Sequence, residues 1–245
     1  MTALKVTIEQ KSYADDRLVL QQVSFAIAPG ERVALLGPSG VGKSSVLRLI
    51  AGLDTDYRGH IAQPAATRMG YVFQDARLIP WLNIYANLAL VAPTASRHAL
   101  AQQLQHYGLD GIGLSYPAQL SGGMQRRVAL LRALLVQPAL LLMDEPFESL
   151  DALTAARMRG HFLHYCQQHR PTVLMVTHQL QEALALADRI IYLAGAPASI
   201  VADHRVPQSM RNGAAGTGAQ TIPLDTPELQ AAAADWLAAH PISLA

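Results

Sequence analysis

The chain has 245 residues, 51% of them hydrophobic and 15% charged, and a formal net charge of +1. A chain of this length buries a substantial core, and its near-zero charge argues against a nucleic-acid binder working through a broad basic field. The single cysteine, Cys166, cannot close an internal disulfide, which is compatible with a reducing compartment.

Residues 4–27 alternate apolar and polar side chains as strands do, and the opening lacks the basic region and apolar block of a signal peptide. The chain is therefore expected to work in the cytoplasm. Pro29-Gly30 turns into the short apolar run 32–36, read as a buried strand. A glycine-bearing loop, 37–42, leads into helical spacing of Val46, Leu47 and Ile50, closed at Gly52. A strand at 69–73 precedes a region, 78–135, that reads mostly as helices, including 83–91 and 96–107. The runs 140–143 and 172–176 are too apolar for a sheet face open to water. They alternate with helices near 152–169 and 179–187, which predicts a parallel sheet covered on both faces. Residues 212–220, rich in Gly and Ala, read as a flexible connection to a last amphipathic helix at 227–239. The longest apolar stretch, 128–143, is broken by Arg132, Gln137 and Pro138, short of the roughly 18 residues of a spanning helix.

Gly37-Pro38-Ser39-Gly40-Val41-Gly42-Lys43-Ser44 satisfies G-x-x-x-x-G-K-[ST] between a strand and a helix, the context its chemistry needs. Backbone N–H groups freed by the glycines, with the helix N-terminus, surround phosphate oxygens; Lys43 bridges the outer phosphates and the Ser44 hydroxyl can hold Mg²⁺. This motif alone fits kinases, GTPases and helicases equally. Asp144-Glu145 follows the apolar run 140–143, at the edge where open α/β sheets hold ligands. Asp144 would hold Mg²⁺, directly or through water, and Glu145 could orient or deprotonate the water that attacks the γ-phosphate. The bland alternative is a pair of acids capping the next helix. His178, at the end of another apolar strand, could reach the γ-phosphate by the same geometry.

Leu120-Ser121-Gly122-Gly123-Met124 opens a helix, with Ser121 as a good N-cap and two glycines leaving N–H groups open to an anion. Lying between the phosphate loop and the acidic strand, it matches the signature L-S-G-G-[QM]. The chain here resembles the ATP-binding subunits of ABC transporters over about residues 4–205. The resemblance implies a P-loop (RecA-like) α/β core with an N-terminal antiparallel β subdomain, a helical subdomain inserted at about 75–136, and a C-terminal extension, 206–245. It implies that Tyr13 stacks on adenine, that Ser45 belongs to the ATP loop, and that Gln74 senses Mg²⁺ and the membrane partner. It also implies that Ser149-Leu150-Asp151 crosses between subunits. Two copies would meet head to tail, with Ser121, Gly122 and Gly123 of one completing the ATP site of the other. The implied partners are a second copy, transmembrane permease subunits and, indirectly, a solute-binding protein, with the chain peripheral on the cytoplasmic face of the cell membrane.

The stretch 72–83, with Gln74 and Trp81, is similar to the loop of nitrate, taurine and aliphatic-sulfonate importers, and the short segment between Gly59 and Met69 is closest to the sulfonate group. Import of a small anionic solute is thus expected; other importers, or a non-transport ABC ATPase, are the alternatives. No heptad run separates Ser44 from Ser121, unlike the DNA-repair relatives, and the chain carries one cassette, unlike the translation factors. Trp81 either packs the helical lobe or contacts a partner. Glu148 stands where glycine is common, and Gln125-Arg126 inverts a common order. His161, His164, Cys166 and His169 share one helical stretch; only His161 and His164 are spaced to share a face, and a solvated flank is favoured over a metal site.

Overall fold

In the computed structural model, residues 3–13, 17–64, 67–208 and 227–239 are described. The connection expected at 212–220 lies outside them. The alternating start forms an antiparallel pair, β1 (Leu4–Tyr13) and β2 (Arg17–Ile27), with Leu4 opposite Ile27 and Tyr13 opposite Arg17. β3 (Arg32–Leu36), β6 (Leu140–Asp144) and β7 (Thr172–Thr177) are the short apolar runs, and β5 (Met69–Val72) lies beside β6. Three strands fall outside those expected: β4 (Arg58–Ala62), β8 (Arg189–Gly195) and β9 (Ala198–Arg205).

Among the described residues, all nine strands join one sheet in the order β4-β1-β2-β9-β8-β3-β7-β6-β5. The run from β8 to β5 is parallel, as expected, and β9 turns back antiparallel on β8. A single parallel register, Leu20 opposite Ala198, joins the antiparallel subdomain to the core sheet. Successive strand residues face opposite sides, and the buried residues obey that period. Val33, Leu35, Leu140, Leu142, Leu174 and Val176 join the core under β1, β2 and α1 (Lys43–Ile50). Ala34, Leu36, Leu141, Met143, Val173 and Met175 face the other core. That second core holds α4 (Gly122–Leu135), α5 (Ala152–His169) and α6 (Leu180–Leu186).

The expected helical lobe contains α2 (Ile84–Ala89), α3 (Arg97–His106) and a 3₁₀ turn at Pro117–Gln119 before α4. Asn83 and Ser96 cap α2 and α3, each accepting from the backbone N–H three residues on, which starts both helices inside the expected spans. The loop before α2 is fixed by fully buried Asn87: its Oδ1 accepts from Ile79 N, and its Nδ2 donates to the carbonyls of Ile79, Leu82 and Asn83. That loop holds Trp81 out at 75% exposure, so Trp81 does not pack the lobe. The last helix, α7 (Pro227–Ala239), packs against α6 and buries Trp236 against His204 of β9.

Candidate active site

Because β3, β7, β6 and β5 are neighbours and parallel, their carboxyl ends deliver four loops side by side at one edge. These carry Gly37, His178, Asp144-Glu145 and Gln74 respectively. The Gly37–Gly42 loop needs its glycines for two reasons. Gly40 (φ 78°) and Gly42 (φ 109°) lie in the left-handed region, and a Cβ on Gly37 would stand 2.3 Å from the carbonyl oxygen of Leu193. Pro38, Ser39 and Gly40 are exposed and Val41 is half-buried. The Gly42 N-cap makes no side-chain bond and no acid sits in the first turn of α1, so nothing competes with an anion for those N–H groups.

Lys43 is only 4% exposed, and its Nζ donates to the carbonyls of Gly37 (2.9 Å) and Pro38 (2.7 Å), closing the loop over itself. Burial lowers its pKa, while the carboxylates of Glu145, Asp144 and Glu148 oppose that shift. The Ser44 hydroxyl donates to Asp144 Oδ1 at 2.9 Å. Asp144, 7% exposed, has its pKa raised by burial against the pull of Ser44 and Lys43. Two hard oxygen donors in contact, beside a phosphate cradle, fit Mg²⁺, which takes few protein ligands and completes its shell with water and phosphate. The acids do not cap a helix; α5 begins only at its own cap, Asp151.

Glu145 has φ 46°, a strained conformation for a residue with a Cβ, and its N–H donates to the Val176 carbonyl. Its Oε1 lies 3.1 Å from His178 Nδ1. Burial raises its pKa first, a hydrogen bond with Glu148 adds to this, and His178 opposes it; Glu148 is shifted down, chiefly by that same bond. The two acids are thus shifted in opposite directions, Glu145 upward and Glu148 downward. Gln74 is exposed and donates from Nε2 to Glu148 Oε2 at 3.2 Å. Gln74, Glu148, Glu145 and His178 thus form one chain of contacts.

Tyr13, at the end of β1, leaves its ring 39% exposed while its hydroxyl meets Ser45 Oγ at 2.9 Å. The buried Lys11 ammonium sits 4.5 Å from the ring centroid, held by Asp54 and the Asp56 carbonyl. Ser121 caps α4 by accepting from Met124 N; Gly122 is exposed, and Gly123 abuts Leu150. Among the described residues, no hydrogen bond or ion pair joins Ser121–Gly123 to Lys43, Ser44, Asp144 or Glu145. Asp151 caps α5 through Thr154 N, with its pKa lowered by those Thr154 bonds. Its side chain is outside that chain of contacts.

The sequence did not disclose what Glu148, Gln125 and Arg126 do. Gln125 Nε2 ties the signature helix to the carbonyls of Pro117 and Leu120, and Arg126 Nη1 donates to the Glu148 carbonyl. A third acid four residues after Asp144 was the only available signal. The helical stretch with four metal-capable residues is not simply a solvated flank. His161 is half-buried beside Tyr107 and His106, and Cys166 is buried, its thiol pushed up to about 12 by burial.

A phosphate cradle backed by an acid–histidine pair at the carboxyl edge of a parallel sheet is the working face of a P-loop ATPase. Within that class the chain belongs to the ABC transporter family, whose model matches residues 20–148. It is 43% identical over 205 residues to the "Aliphatic sulfonates import ATP-binding protein SsuB 2" of Burkholderia lata, covering 80% of this chain and 75% of that one. It is 48% identical over 176 residues to the "Aliphatic sulfonates import ATP-binding protein SsuB" of Delftia acidovorans, covering 71% of this chain and 73% of that one. Among solved structures it resembles a dimeric post-hydrolysis state of the ATP-binding cassette MJ0796 bound to ADP and Pi. That match has a TM-score of 0.73 at 28% identity and covers 84% of this chain and 99% of that one.

Proposed function

We propose that this chain hydrolyses ATP to drive import of a small anion, an aliphatic sulfonate before taurine or nitrate. The observation that carries the hydrolytic part is the Glu145–His178 contact at 3.1 Å beside Lys43 and the Ser44–Asp144 pair. The solute class is supported by the names of the relatives. Tyr13 stacks on the adenine, the 37–45 loop binds the phosphates, and Ser44, Asp144 and Gln74 hold Mg²⁺. When bound, Mg²⁺ neutralises charge on the β- and γ-phosphates. Glu145 takes the proton of the attacking water, and His178 orients Glu145 and contacts the γ-phosphate.

Ser121, Gly122 and Gly123 act on the ATP of a second copy, and Asp151 lies at that interface. The exposed N-terminal edge of α4 supports this, as does the dimeric state named for the MJ0796 structures. Permease subunits dock on the helical lobe, where Trp81 stands exposed on its fixed loop, and a solute-binding protein feeds them. Among the described residues no helix is long and apolar enough to cross a membrane, in keeping with a peripheral subunit on the cytoplasmic face. The test is reconstitution with a permease and a solute-binding protein. Alkanesulfonate inside the binding-protein compartment should stimulate ATP turnover; stimulation only by a sugar or a metal would reject the anion assignment.

The raised pKa of Glu145 has a sign that can be read in a rate profile. A base must be ionised, so the acid limb of kcat lies above the ordinary carboxylate range and activity is lost as pH falls through it. Glu148→Gln removes a carboxylate whose hydrogen bond and charge help raise the Glu145 pKa, so the acid limb should move to lower pH. An unmoved limb would dissociate Glu148 from the catalytic base.

A further inference from the structure

The inserted lobe and the core meet in a second place, away from the nucleotide edge, at a cleft of 360 Å³ between α3, α4 and α5. His106, the last residue of α3, and His161, on α5, turn their rings toward each other across it. His106 Nε2 and His161 Nδ1 are 3.2 Å apart, with ring centroids 4.6 Å apart and planes inclined by 65°. Tyr107 packs on His161 and fixes its ring, with centroids 4.9 Å apart.

Two imidazole nitrogens bound to one zinc-like ion, each at about 2.0–2.1 Å, lie roughly 2.9–3.4 Å from each other. The observed 3.2 Å separation, now a hydrogen bond between the two rings, falls in that interval, so an ion bound there would take the place of the bridging proton. The polar lining is neutral apart from histidine: glutamines and tyrosines, with no carboxylate among the residues that line the cleft. Burial, then His106 and His164, hold the His161 pKa at about 4, so its ring is neutral at neutral pH. His164, one turn further along α5, also lines the cleft, and its Nε2 is 2.9 Å from Gln168 Nε2. A rotamer change exchanges that bond for a third nitrogen ligand, with water completing the shell.

We propose that His106 and His161 form a binding site for a divalent first-row transition-metal ion of the zinc, nickel and copper group, bridging the helical lobe to the core. Nitrogen donors without carboxylates select these ions and reject Mg²⁺ and Ca²⁺, so the site is chemically separate from the nucleotide's Mg²⁺. An ion held from both sides stabilises the folded chain by mass action and ties α3 to α5.

The test uses the full chain, freed of metal by a chelator and without nucleotide, titrated with Zn²⁺ and Ni²⁺ by calorimetry and followed by its melting temperature. Wild type should bind one ion and melt higher; His106→Ala and His161→Ala should each weaken binding by at least about tenfold. His164→Ala should cost about threefold, in line with a ligand recruited by a rotamer change. Both main variants alter side chains that are not fully buried, and their metal-free melting should match wild type, which separates lost ligation from lost folding. The proposal fails if wild type binds neither ion, or if the variants bind as tightly as wild type. It fails equally if Glu148→Gln alone removes the binding, because the ion would then sit at the Glu145, Glu148 and His178 group. No arm depends on ATP turnover, so these results stand apart from the assignment of the nucleotide site.

Discussion

Glu145→Gln should leave ATP bound and reduce turnover by about two to four orders of magnitude, the contribution of a positioned general base. The substitution keeps size and one oxygen, so the His178 contact and the strained backbone at φ 46° have no reason to change. What is lost is proton acceptance from the attacking water. The structure adds a complication that the sequence lacks: Glu148 hydrogen-bonds Glu145 and is ionised more readily than an ordinary glutamate. A carboxylate so placed can take over part of the proton transfer. Residual turnover in the single variant should therefore fall further in Glu145→Gln/Glu148→Gln. Phosphate release by the assembled transporter, with ATP binding measured in parallel, decides both points; unchanged turnover in the single variant would remove Glu145 from the catalytic role.

Lys43→Ala should weaken ATP binding by about two orders of magnitude or more, the effect of deleting a charge-assisted hydrogen-bond partner from a site shielded from water. Lys43 is 4% exposed and folded back onto the Gly37 and Pro38 carbonyls. Its ammonium occupies the concavity of the loop, and a phosphate must draw it off those carbonyls. Because Asp144, Glu145 and Glu148 crowd the same edge, removing the Lys43 cation also leaves the triphosphate facing three carboxylates with less to offset them. Lys43→Arg should not restore binding, since a planar guanidinium does not fit the space of a compact ammonium. Fluorescent-nucleotide titration reads this directly. Affinity within about threefold of wild type would show that the loop N–H groups alone carry the phosphates.

Much of the site was legible because it is built from local segments. The 37–44 loop folds as its glycines dictate, and helix α1 starts where the motif says it must. The apolar runs before Asp144 and His178 identified the strands, since only strands covered on both faces tolerate such composition. Three strands escaped. β9 alternates a half-polar face with exposed residues, and its pairing with β8 and its single register with β2 supply its identity. β4 is five residues with two of them half-buried, defined by β1 alone. These two helices start one residue later than expected because Asn83 and Ser96 serve as caps rather than first-turn residues.

The sequence by itself determined which residue types stand at each loop: a candidate phosphate cradle, a candidate cation-holding pair, a candidate base and a family signature. These are encoded in short stretches whose backbone geometry depends on neighbours in the chain. Tertiary structure alone decided which side chains from distant stretches meet. Gln74 meets Glu148, Glu145 meets His178, Lys11 supports Tyr13, and His106 faces His161 across 55 residues of sequence. The physical reason is that strand order, not chain order, sets these neighbours. With β7 inserted between β3 and β6, His178 is carried to the acids, and no spacing along the chain contains that information.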